Sequence, residues 1–168
     1  MTERPAGARS IDEILADARA ELVRVTAEEA FGEFCDGATL IDIRPAAQRA
    51  ADGEIPGSLV VERNHLEWRF DPASDGRLPW VTGYGLRLIV ICAEGYTSSL
   101  AAAALRELGH ARATDVIGGY AAWAAGQPTA RAEECAAVIA PGASSALVLR
   151  EEFSRTRGAG CAHAGFAG

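Results

Sequence analysis

Apolar positions along the chain alternate between helical spacing and short unbroken runs. Ile11, Ile14, Leu15, Ala18 and Leu22 recur every three to four residues behind Ser10, a favoured N-cap, and predict a helix over 11–21. Residues 22–25 read as a short strand. Thr26 and Glu29 have the spacing of a capping box and predict a helix over 27–34. Residues 39–43 read as a strand stopped by Arg44-Pro45, followed by one or two helical turns over 46–51 and a turn-rich loop over 52–57. A short strand over 58–61 and a helix over 64–70 come next, then a long loop over 71–85 rich in Gly, Pro and Asp. Residues 86–91, interrupted by Arg87 alone, read as the central strand. An alanine-rich helix over 98–108 ends at Gly109, a strand spans 113–117, and Gly118-Gly119 turn into a helix through Trp123 that ends at 126–128.

Strands that alternate with helices, several of them continuously apolar, predict an α/β fold with a mostly parallel sheet covered on both faces. Ligands in such sheets bind beyond the carboxyl ends of the strands. Cys92 stands at one such end, and Asp42 and Arg44 at or just past another. The division expected is an N-terminal helical extension over 1–21, a domain over 22–128, and a tail over 129–168. The tail is rich in Ala and Gly, with helical readings over 131–140 and 145–153 and a disordered reading over 158–168.

Composition narrows the classes. The 168 residues suffice for one domain with a sizeable core, and 49% are apolar. A net charge of −7 without a basic patch argues against nucleic acid. No apolar run reaches membrane-spanning length, and the polar first ten residues lack the apolar core of an export signal. The four cysteines (35, 92, 135 and 161) have no CxxC spacing, which fits a reducing, cytoplasmic setting rather than a disulfide framework. Cys161-Ala162-His163 is half of a metal site without a second half, so neither metal nor cofactor is expected.

The chemistry centres on Cys92-Ala93-Glu94-Gly95-Tyr96-Thr97-Ser98-Ser99. This order puts a thiol at the tip of a buried strand, in a loop that runs into a helix N-terminus. Unpaired N–H groups there favour a thiolate and an anionic adduct. Gly95 allows a positive φ. Thr97 and Ser98 offer hydroxyls either to the sulfur or to the helix end. Tyr96 lies inside the loop and is expected to line the pocket.

Four segments, 40–44, 53–58, the Cys92 loop with its helix, and 116–123, occur in the order seen in the rhodanese-like sulfurtransferases, and 22–127 resembles that family. The resemblance implies a three-layer α/β domain with a parallel sheet of about five strands. It implies that Cys92 cycles between thiolate and persulfide, with Ala93, Glu94, Gly95, Tyr96, Thr97 and Ser98 as the substrate loop. Expected donors are thiosulfate, 3-mercaptopyruvate or a persulfide; expected acceptors are cyanide, a thiol or a protein cysteine. Glu54 replaces the family's usual His before Ile-Pro-Gly, at a position read as structural. Asp42 and Arg44 are supporting residues, as an ion pair or a turn cap. Arg63 and Arg69 are candidates for charge that offsets Glu94. Two other readings stand beside this one: a rhodanese-like module that binds partners without turnover, and a cysteine phosphatase. The resemblance counts against the phosphatase, because its relatives have a loop one residue longer followed by an arginine, whereas this chain has Ser98 and Ser99.

Overall fold

The computed structural model describes residues 4–126, and the three tail readings lie outside them. Four strands form one parallel sheet in the order β2-β1-β3-β4: β1 (Thr39–Asp42), β2 (Leu59–Val60), β3 (Leu88–Ile91) and β4 (Thr114–Asp115). The helices are α1 (Ile11–Ala20), α2 (Ala27–Cys35), α3 (Ala46–Asp52), α4 (Leu66–Phe70), α5 (Thr97–Glu107) and α6 (Gly119–Gly126). A 3-10 turn, Arg63–His65, leads into α4, so the expected helix over 64–70 is split.

Alternation along β3 sorts the core into two layers, because successive side chains point to opposite faces. Leu88, Val90 and Cys92 pack with Ala101, Ala102 and Leu105 of α5 and with Leu66 and Phe70 of α4. Ile89 and Ile91 pack with Ala30, Phe31 and Phe34 of α2 and with Trp123 of α6. Both faces are therefore covered, as the apolar runs require.

Helices α1 and α2 start at full capping boxes, Ser10 with Glu13 and Thr26 with Glu29. The capped carboxyls of Glu13 and Glu29 lie below the ordinary glutamate value, chiefly through the backbone N–H bonds they accept from Ser10 and Thr26.

The expected strand over 22–25 is reduced to a single parallel bridge between Val25 and Val116 at the β4 edge. Val25 N–H donates to Asp115 O, and Ile117 N–H donates to Val25 O. Only one residue pairs because the chain turns at Leu22, whose N–H bonds Arg19 O, and enters the Thr26 cap directly after Val25. The sheet thus has four strands, with the bridge where a fifth was expected.

Candidate active site

Cys92 follows β3 directly and is 8% exposed. Its loop ends where α5 begins at Thr97, so α5 aims its N-terminus at the sulfur. The Gly95 and Ser98 N–H groups donate to Cys92 Sγ at 3.2 and 3.4 Å. The Cys92 thiol donates to Ser98 Oγ at 3.2 Å. Ser98 therefore serves the sulfur through both its backbone and its hydroxyl, while no side chain caps α5.

The next turn of chain holds the loop from behind. Tyr120 N–H donates to Cys92 O at 2.8 Å and Ala121 N–H to Ala93 O at 3.0 Å. The N-terminus of α6 thus takes up the outward carbonyls of the loop. Gly95 has φ 80°, and a Cβ there would lie 2.8 Å from Gly118 N, so only glycine fits.

Two arginines fix the loop from the side. Arg19 and Arg24 each place Nη2 on Gly95 O, at 2.8 and 3.2 Å. Arg24 also grips the wholly buried Asp115 with two bonds of 2.8 and 3.0 Å. Asp115 Oδ2 further accepts from Ser98 Oγ at 3.0 Å and Ser99 Oγ at 2.8 Å. The reading of the sequence missed Arg19, Arg24 and Asp115. Helix α1, read there as an extension, packs on α5 and supplies part of the site through Arg19.

In front of the loop lies an open cleft of about 560 Å³, lined by Arg44, Glu62, Arg63, Cys92, Glu94 and Tyr96 among others. Ala93 and Thr97 also line it. Tyr96 is 57% exposed, with the Arg19 guanidinium over its ring at 5.5 Å.

The charges in the cleft do not balance. Arg44 is wholly buried and bound to Asp42 through Nε at 3.0 Å and Nη2 at 2.7 Å. Burial lowers the Arg44 guanidinium, but the bonds and charge of Asp42 outweigh it and leave it raised. Arg44 also bonds Gly53 O at 2.9 Å and stacks over Tyr120 at 3.7 Å. The pair therefore ties β1 to the turn at Gly53 and to α6. Arg63 pairs with Glu67 at 2.6 Å. Glu62 and Glu94 are exposed, and among the described residues neither forms an ion pair.

Arg69, expected to offset Glu94, does not line the cleft; its Nη1 donates to Gly76 O at 3.0 Å and braces the loop after α4. Glu54 likewise stays outside the cleft and pairs with Arg49 at 3.1 Å. Among the described residues, no cluster of three or more His, Cys, Asp or Glu is placed to hold a metal ion, and no helix is long and apolar enough to cross a membrane.

Comparison with known proteins agrees with this architecture. The rhodanese-like domain family matches residues 26–126. The maize adenylyltransferase and sulfurtransferase MOCS3-2 is 36% identical over 110 residues, covering 61% of this chain and 21% of the maize protein. The chain thus spans about a fifth of the curated relatives it matches. Among solved structures, the human single-domain sulfurtransferase TSTD1 is similar, with a TM-score of 0.51 and 25% identity, covering 61% of this chain and 95% of that one. A Rhodopseudomonas palustris protein of unknown function, named as a possible tyrosine phosphatase, has a TM-score of 0.66 and 28% identity, covering 75% of this chain and 96% of that one. With the matched family spanning most of the described chain and the cysteine loop in place at the end of β3, the protein belongs to the rhodanese-like domain family.

Proposed function

We propose that the protein is a sulfurtransferase that carries sulfane sulfur as a persulfide on Cys92. The observation that supports this most is the pair of N–H groups, from Gly95 and Ser98, that converge on Sγ at the mouth of an open cleft. Donors to the charged form favour the thiolate and hold a negatively charged adduct. The Cys92 thiolate attacks the outer sulfur of the donor. With thiosulfate, the S–S bond breaks and sulfite leaves with the electron pair, so that Cys92–S–S⁻ forms. A nucleophile, such as cyanide, a small thiol or a protein cysteine, then takes the outer sulfur and the thiolate returns. Charge balances in both halves, and no external oxidant or cofactor enters.

The phosphatase reading has less support. The position after the six-residue loop is the buried Ser98, and the nearby guanidinia of Arg19 and Arg24 bind Gly95 O at the side of the loop. The guanidinia that line the cleft, Arg44 and Arg63, are held by Asp42 and Glu67, so among the described residues no free bidentate cation awaits a phosphate monoester. A free thiol aligned with two N–H donors favours turnover over a module that only binds. The reaction requires reduced Cys92, which a cytoplasmic setting maintains. The test is transfer from thiosulfate, 3-mercaptopyruvate or glutathione persulfide to cyanide or a thiol. Transfer with at least one donor, lost in Cys92→Ser, supports the proposal; no transfer from any of them favours the binding module.

A further inference from the structure

The hydrogen-bond neighbours of Cys92 Sγ favour opposite protonation states. The Gly95 and Ser98 amides donate to the sulfur and favour a thiolate. The Ser98 hydroxyl does the reverse. It accepts the Cys92 S–H at 3.2 Å and gives its own single proton to Asp115 Oδ2 at 3.0 Å. Asp115 dictates this direction. An ionised carboxylate only accepts, so Ser98 must supply the proton between them. The ionised state is held by Arg24, which binds both carboxylate oxygens of this wholly buried side chain. Ser99 Oγ lies 2.8 Å from the same carboxylate oxygen and 3.2 Å from Gly95 O, with one proton for the two.

We propose that Asp115, acting through Ser98, is a positioning residue that restrains ionisation of the resting Cys92. The Ser98 lone pair faces the sulfur and its proton faces away, so the thiol is the better-matched partner. On ionisation the Cys92 proton passes to water in the cleft, while Ser98 and Asp115 keep their own protons and charge. No redox change is involved. A thiolate at an open cleft is prone to oxidation, and this restraint lowers that exposure in the resting protein.

The proposal rests on Cys92 being the reactive thiol, not on sulfur transfer, and its test needs no sulfur donor. The full-length protein is alkylated with iodoacetamide from about pH 5 to about pH 10, a span that brackets ordinary thiol titration. The rate is read as mass gain on the Cys92 peptide for wild type, Ser98→Ala and Asp115→Asn. Arg19 and Arg24 at the side of the loop, and Arg44 with Asp42, Glu62, Arg63 with Glu67, and Glu94 along the cleft, are the same in all three proteins. In both variants the half-maximal pH falls, and alkylation at neutral pH rises about threefold to tenfold. Ser98→Ala leaves Asp115 with Arg24 and Ser99, so it remains informative if Asp115→Asn does not fold. Simple loosening of the loop would weaken the two amide bonds and raise the half-maximal pH. A rise or no change in Ser98→Ala overturns the proposal, because the hydroxyl would then support the thiolate or not touch its balance.

Discussion

Gly119 presses against the back of the Cys92 loop so closely that a Cβ on it would lie 2.5 Å from Cys92 O and 2.6 Å from Gly95 N. Two backbone segments far apart in sequence thus share one surface, and the Cys92 loop is moulded on the turn that starts α6. Gly119 also has φ 57°, where a side chain is strained before any clash is counted. Gly119→Ala is expected to cost on the order of 1–3 kcal/mol of stability and to displace the loop. Chemical denaturation and Cys92 alkylation measured side by side check this: both change together. A normal loop in a normally stable Gly119→Ala protein would show that the contact is not a constraint.

The acidic cleft predicts how donors are ranked. Glu94 and Glu62 are exposed there, while Arg44 and Arg63 are neutralised by Asp42 and Glu67. A dianion such as thiosulfate meets repulsion, softened by water and salt. Glu94→Lys is expected to raise kcat/KM for thiosulfate by about threefold to tenfold at low salt, with the gain shrinking as salt is added. An organic persulfide, which carries at most one negative charge on its sulfur, should gain less than the thiosulfate dianion. Equal gains for both donors would mean that Glu94 acts through loop shape rather than charge.

Acid should weaken the protein first at its helix starts and at the α2–β3 edge. The Glu33 carboxyl is lowered by its bonds to Arg87, which outweigh the opposing effect of burial, and Glu13 and Glu29 are lowered by their capping bonds. A folded value below the unfolded one means that the unfolded chain takes up protons first as pH falls. The contribution is therefore complete above the ordinary glutamate value near 4.5 and is lost as pH drops through the depressed folded values. Thermal unfolding followed from neutral pH down to about pH 3 should show Tm falling below about pH 4.5. In Glu33→Gln the neutral-pH Tm is lower and the acid slope is shallower. An unchanged slope would remove Glu33 from this account.

Much of this site was legible along the chain, for physical reasons. A cysteine after an apolar run, one glycine, and serines that open an alanine-rich helix leave few geometries other than a thiol at a helix start. The N-cap at Ser10 and the capping box at Thr26 are local, and local chemistry fixed them; the structure adds Glu13 to complete a box at Ser10 as well. What escaped was non-local. Asp115 stands in a short strand like any polar edge residue, and only the fold brings Arg24 and Ser98 onto it. Arg19 occupies a helix position that looks solvated until α1 lies on α5. His110 is wholly buried, and its Nε2 lies 2.6 Å from Phe70 O, a partner forty residues distant that only the fold supplies. The strand over 22–25 failed because apolar content said nothing of pairing: Val23 is 82% exposed and Arg24 turns inward to Asp115.

The central claim is tested most directly by intact and peptide mass after exposure to a sulfane donor. The account predicts a gain of one sulfur atom on the peptide that holds Cys92, released again by cyanide or a thiol. In Cys92→Ser the gain is absent. Equal sulfur uptake by Cys92→Ser, or uptake confined to another cysteine of the wild type, would contradict the account.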